Sequence, residues 1–121
     1  MNNFVVWFDI PVKNLDRAMK FYSTVMSVEL KPMEIGPNKQ AIFPFAPGVA
    51  SGSLKETKES EPSAAGTMVY LNGGEDLSVP LARVETAGGT IIKSKTRIGE
   101  NGFMAFFKDT EGNHVALHSR K

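Results

Sequence analysis

The sequence predicts an α+β fold built from two βαβββ modules. Three observations predict it. Hydrophobic patterning and turn signals give the element order strand, helix, strand, strand, strand, and then give it again. The two halves align weakly on each other at a spacing of about 62 to 64 residues, with Val6-Trp7-Phe8-Asp9 over Val69-Tyr70-Leu71-Asn72, Leu15–Phe21 over Leu77–Arg83 and, allowing a one-residue slip, Gly48–Leu54 over Gly112–Leu117. A single polar, Pro- and Gly-containing stretch, ETKESEPSAAG at 56–66, separates them. The expected organisation is one domain over 1–121, with module one at about 1–58, a linker at about 59–66 and module two at about 67–121.

Residues 4–10 (FVVWFDI) are an apolar run ending at Pro11 and predict the first strand. Asn14 is a helix cap, and Leu15, Ala18, Met19, Phe21, Tyr22, Val25 and Met26 recur with helical spacing, which predicts a helix over 14–26. Val28–Ile35 reads as a strand stopped at Gly36-Pro37. Residues 39–45 read as another, with Pro44 suited to an edge. Val49–Lys58 is the fourth strand, and its Ser-Gly-Ser centre is unusually small. In the second half, 67–72 is a strand. A helix runs from Asp76 or Ser78 to Ala87, where Gly88-Gly89 stop it and Pro80 sits harmlessly in the first turn. Thr90–Thr96, Gly102–Lys108 and Asn113–Ser119 are the last strands, with Asp109-Thr110-Glu111-Gly112 as the final hairpin turn.

Composition narrows the function. The chain has 121 residues, 41% hydrophobic and 22% charged, a globular balance. The net charge is +1 and the lysines are scattered, so nucleic acid is not an expected partner. The absence of cysteine excludes a thiolate metal site and a cysteine nucleophile. No apolar run reaches the roughly 18 residues of a membrane span, and the first residues lack the pattern of a signal peptide. A cytoplasmic location and no membrane partner are the expectation.

Strand alternation then sorts the faces. The helix-covered face takes Val6, Phe8, Leu54, Val69, Leu71, Val115 and Leu117. The other face takes Trp7 and Asp9, Ser51 and Ser53, Tyr70 and Asn72, and Ala116 and His118, with His114 at its rim. This mixture of small, aromatic and polar side chains is that of a ligand cavity. Phe43, Phe45 and Phe106 are expected to join Trp7 and Tyr70 in an apolar wall able to stack on a ligand. Asp9 and His118 are the titratable pair on this face that could act as general acid and base. No Gly-rich phosphate loop, Ser-His-Asp order or zinc-ligand spacing is present.

Three motifs carry a resemblance to a known family. Trp7-Phe8-Asp9-Ile10-Pro11-Val12 followed by Asn14-Leu15-Asp16-Arg17-Ala18 and Phe21-Tyr22 is similar to its opening strand and helix. Ala87-Gly88-Gly89 is similar to the end of its second helix, and Asp109-Thr110-Glu111-Gly112-Asn113 to the turn before its last strand. In this order the chain resembles the vicinal-oxygen-chelate superfamily, which contains glyoxalase I, bleomycin-resistance proteins and dioxygenases. The resemblance implies paired βαβββ modules, each sheet curved around a cavity with a helix on its outer face. It also implies a homodimer, as the apolar opening strand does.

In metal-dependent members of that superfamily, four strands each supply a His, Glu or Gln. The resemblance puts those places at or near Trp7, Ser53, Tyr70 and Ala116, none of them a good ligand for a divalent cation. No cofactor is therefore expected. The leading expectation is a binding protein: a small, partly aromatic or apolar molecule held without a metal by Trp7, Phe43, Phe45, Ser53, Tyr70, Asn72, Phe106 and Ala116. The alternative implied by the resemblance is a lactoylglutathione-lyase-like lyase or isomerase, or a dioxygenase-related enzyme. It would use a displaced metal site or acid–base chemistry by Asp9 and His118.

Overall fold

The structure, a computed structural model, describes residues 3–35 and 37–121. The start of the expected first module at Met1 and Asn2, and the Gly36 half of the Gly36-Pro37 break, lie outside them. The order along the chain is β1 (Trp7–Pro11), α1 (Leu15–Met26), β2 (Lys31–Ile35), β3 (Asn38–Ile42), β4 (Ser51–Glu56), β5 (Tyr70–Asn72), α2 (Ser78–Leu81), β6 (Thr90–Arg97), β7 (Phe103–Lys108) and β8 (His114–Ser119), with a 3-10 turn at Gly99–Asn101 between β6 and β7. The strands form two sheets of four, ordered β1-β4-β3-β2 and β5-β8-β7-β6. In each, the first strand lies parallel to the last and every other pairing is antiparallel. The repeated element order is therefore also a repeated topology.

Several strands begin later than the sequence predicts. Register explains the first: β1 pairs with β4 only from Trp7 opposite Ser51, so Phe4, Val5 and Val6 have no strand beside them and stand exposed. β2 starts at Lys31 and β5 at Tyr70. The Ser-Gly-Ser centre of β4 has a steric cause. Gly52 lies opposite Phe8, and a Cβ there would come within 2.5 Å of the Phe8 carbonyl oxygen and 2.6 Å of its ring.

α1 forms where predicted. Asn14 caps it by accepting the Arg17 N–H at 3.0 Å, and it ends at Ser27, whose φ of 54° is the left-handed conformation usual at helix ends. The second helix is a correction. Only Ser78–Leu81 is α-helical; beyond it, bonds from Arg83 to Pro80 and from Val84 to Leu81 mix with the i−4 bond from Ala87 to Arg83. Pro80 contributes no N–H and is itself buried, and the segment holds Leu77, Leu81 and Val84 in the core by tighter turns.

α1 joins the two halves. Its Phe21 and Tyr22 rings lie 5.7 and 6.3 Å from Phe107 of the second sheet, and Tyr22 lies 5.9 Å from Phe43 of the first. One continuous core results, with Ile10, Phe43 and Leu54 on one side of α1 and Leu71, Phe107 and Leu117 on the other. Polar bonds reinforce it from the last hairpin. The buried Glu111 carboxylate accepts the Lys13 and Asn14 N–H groups, both at 2.8 Å, and two bonds from the Arg17 guanidinium at 2.7 and 3.0 Å. Tyr22 donates its hydroxyl to Asp109 at 2.6 Å, and Asn113 donates to the Pro11 carbonyl at 2.8 Å while accepting the Ser63 N–H. The residues read from sequence as a simple turn thus tie the second sheet to the start of α1 and to the connecting segment.

Among the described residues no helix is long and apolar enough to cross a membrane.

Candidate functional site

With the helix-side faces sharing one core, each sheet keeps its other face open. On the first sheet, Trp7 lies opposite Ser51, and Asp9 opposite Ser53, which in turn lies opposite Ile42. Asp9 organises this face. One carboxylate oxygen accepts the Ser53 hydroxyl at 2.7 Å and the Trp7 indole N–H at 3.2 Å, and the other lies 3.8 Å from the Lys55 ammonium. The indole is thereby held with its polar atom satisfied and its ring free for contact. Phe45 meets it edge-on, with centroids 6.3 Å apart. Ser51 turns inward to the Pro44 carbonyl at 2.9 Å, and Ser53 is fully buried beneath its neighbours.

The second sheet repeats the motif. Tyr70 lies opposite Ala116, and Ala116 opposite Phe106; the next row is Asn72, His118 and Met104. Tyr70 and Phe106 meet edge-on at 6.2 Å, and Ala116 between them is fully buried. Asn72 accepts the Gly74 N–H at 2.8 Å. Each sheet therefore presents two aromatic rings around small residues.

Phe43 is a correction to the expected wall. It is buried against Phe8 and Tyr22 on the helix side. Phe43 and Phe45 have the same strand parity and would share a face if β3 ran to residue 45. The strand ends at Ile42 and the chain turns at Pro44, which separates them.

Asp9 and His118 are not brought together within the chain. Asp9 is engaged as above, and His118 Nε2 lies 2.7 Å from the Asn101 carbonyl oxygen. That oxygen can only accept, so Nε2 carries a hydrogen. His114 is half-buried at the start of β8, its N–H donated to the Ser63 carbonyl.

The four positions at which the resemblance puts metal ligands hold an indole, a hydroxyl bonded to Asp9, a phenol and a methyl group. This donor set does not fit a divalent cation. Among the described residues no group of three or more His, Cys, Asp or Glu side chains gathers elsewhere.

Between the free edges of β1 and β5 runs an apolar groove of about 640 Å³, lined among others by Val5, Trp7, Phe8, Met68, Val69 and Tyr70. A second, more polar cavity of about 410 Å³ lies at the end of the second sheet, where Tyr70, Asn72, His118 and Arg120 meet. Sequence reasoning missed Arg120, which lies beyond the last strand. It also missed Lys93, whose ammonium sits 5.9 Å from the centre of the Phe106 ring.

The chain matches the family model described as the Glyoxalase/Bleomycin resistance protein/Dioxygenase superfamily over residues 4–117. No curated protein matches it. Solved structures share its fold. A glyoxalase I mutant from Zea mays is 21% identical with a TM-score of 0.74, the match covering 94% of this chain and 45% of that one. This chain thus spans under half of the maize protein. A hypothetical protein from S. aureus is 22% identical with a TM-score of 0.66, covering 97% and 94%. An antibiotic binding protein from a Streptomyces species is 20% identical with a TM-score of 0.68, covering 98% and 97%.

Proposed function

The chain belongs to the Glyoxalase/Bleomycin resistance protein/Dioxygenase superfamily, and on that premise we propose that it binds a small, partly aromatic or apolar molecule on its open sheet faces without a metal. The observation that carries this reading is the repeated motif: Trp7 with Phe45 around Ser51 and Ser53, and Tyr70 with Phe106 around Ala116. The rings close over the small residues, and Trp7, Phe45 and Tyr70 keep exposed surface on which a flat molecule can stack. The resemblance puts the ligand places of metal-dependent relatives at or near Trp7, Ser53, Tyr70 and Ala116, and none of these offers an imidazole or a carboxylate. The antibiotic binding protein among the structural neighbours is in keeping with such a role.

Trp7 is the only tryptophan and is 41% exposed, so its fluorescence reports on this face. In EDTA-treated protein, a panel of two- and three-ring aromatic compounds should yield ligands that change that fluorescence and raise the melting temperature by mass action. Trp7→Ala should weaken their binding by roughly 1–3 kcal/mol, the range for losing a stacked aromatic contact. Its stability should fall by only about 1 kcal/mol, because the indole is half in water already. Ligands that need added metal, or a variant that unfolds rather than losing binding, would overturn the reading.

The binding unit is a homodimer in this proposal. β1 and β5 both offer unpaired edges beside the apolar groove, and Phe4, Val5, Val6 and Val49 stand exposed. Open edges next to apolar surface are what a second copy covers. The first sheet of one copy beside the second sheet of the other would oppose Trp7, Asp9 and Ser53 to Tyr70, Asn72, Ala116 and His118. Light scattering at tens of micromolar should give twice the chain mass; a mass of one chain would remove this part of the proposal.

A further inference from the structure

We propose that the molecule taken by the second sheet is an aromatic anion, a flat ring system carrying a carboxylate or a similarly compact anionic group. The inference rests on the small-aromatic reading above and adds the charge of the ligand.

The open face of the second sheet has an apolar centre and a cationic margin. At the centre, Tyr70 and Phe106 flank the buried methyl of Ala116. Around it stand Lys93, with its ammonium 5.9 Å from the centre of the Phe106 ring, Lys108 on the row of His114, and Arg120 with His118 at the polar cavity. No strand residue of this face is acidic, on β5, β7 and β8 or among Thr90, Lys93 and Thr96 of β6, and Asp9, which the proposed dimer sets opposite, is already engaged by Ser53, Trp7 and Lys55. Glu75 and Glu100 belong to turns beyond the strand ends and do not line the cavity.

The cations of this margin are also uncompensated. The ion pairs among the described residues are Arg17–Glu111, Lys55–Asp9 and Lys95–Asp76, and they use none of Lys93, Lys108 or Arg120. The first sheet differs, because Lys55, half-buried near its aromatic pair, already faces Asp9. An aromatic floor ringed by unpaired cations is complementary to a flat anion and selects against a flat cation. The polar cavity of about 410 Å³ gives the anionic group its place, with the Arg120 guanidinium, the Asn72 amide and the Tyr70 hydroxyl as donors. The ring system then lies over Tyr70, Ala116 and Phe106, and Lys93 closes the far side.

Two isosteric probes, 2-naphthoate and 2-naphthamide, test this by calorimetry. The wild-type protein should bind the carboxylate about tenfold or more tightly than the amide, the usual advantage of a charge-assisted contact. That preference should shrink when the ionic strength is raised from about 0.05 M to about 0.5 M. In the Lys93→Gln, Arg120→Gln double variant, both at the surface and checked for fold by circular dichroism, the two probes should bind with affinities within about threefold. Equal binding of both probes to the wild type would overturn the anion assignment while leaving the aromatic-ligand reading intact. A preference that survives in the double variant would overturn its assignment to this face. Failure of both probes to bind would overturn the inference together with the reading it rests on.

Discussion

Glu111→Gln is expected to lower the unfolding free energy by about 2–4 kcal/mol, measured by urea denaturation at neutral pH. The carboxylate has no exposed side-chain surface and accepts from five donors, two on the backbone just before α1, two on Arg17 and the Thr110 hydroxyl. An amide keeps one acceptor oxygen and turns an NH₂ group toward the remaining donors. The substitution therefore leaves donors facing a donor, besides removing the charge at a helix N-terminus. Acid titration gives an independent check. Burial alone would raise the Glu111 carboxyl. The Arg17 guanidinium, the Asn14 and Lys13 N–H groups and the Thr110 hydroxyl overcome it and hold the carboxyl at about 2 against an ordinary 4.5. The folded chain thus takes up this proton less readily than the unfolded one. The stabilisation, of the order of 3 kcal/mol, is full above about pH 4.5 and is lost as pH falls towards 2. The variant should lack that part of the acid limb. An unchanged acid limb would mean that Glu111 does not link the last hairpin to α1.

The element order and the facing of most strands were legible in the sequence because both depend on local pattern. Leu15, Ala18, Tyr22 and Val25 recur at helical spacing and are buried together. Trp7 and Asp9 alternate with Phe8 and Ile10, and the structure keeps that alternation. What local pattern cannot show is a partner far along the chain. Asp109, Glu111 and Asn113 look like an ordinary hairpin turn until Tyr22, Arg17 and Pro11, 87 to 102 residues away, are placed against them.

The candidate site was legible to the same degree. Trp7, Tyr70 and Phe106 stand on open faces as alternation predicts, whereas Phe45 reaches Trp7 from beyond the end of β3. Phe43 has the parity of the buried Ala41 and so faces the helix, while the turn at Pro44 after β3 brings Phe45 to Trp7. Lys93 escaped because register shifts on either side of it, after Ile91 and before Thr96, break the simple alternation of β6. A long strand read without its bulges would give the wrong face for part of its length. The second helix was overread for a related reason: Leu77, Leu81 and Val84 satisfy helical spacing, and so do the tighter turns that the structure adopts.

Phe107→Ala is expected to cost about 3–5 kcal/mol, the range for removing a large aromatic side chain from a packed core. Phe107 is fully buried on β7, and its ring meets Phe21 and Tyr22 of α1 at 5.7 and 6.3 Å. The informative readout is where the loss is felt. Phe107 belongs to the second sheet, whereas Trp7 reports on the first. With a single core running through α1, removing the ring should shift the Trp7 fluorescence midpoint as far as the far-ultraviolet circular dichroism midpoint, in one transition. Phe107→Leu, which refills much of the space, should shift both midpoints together by a smaller amount. If the dichroism became biphasic while the Trp7 midpoint stayed at its wild-type value, the halves would be separate folding units. The open faces would then be free to move relative to one another. A common shift instead means that α1 fixes both sheets to one body, so that the Trp7 and Tyr70 faces are held in a constant relation before any ligand arrives. Such preorganisation lowers the ordering cost of binding to them.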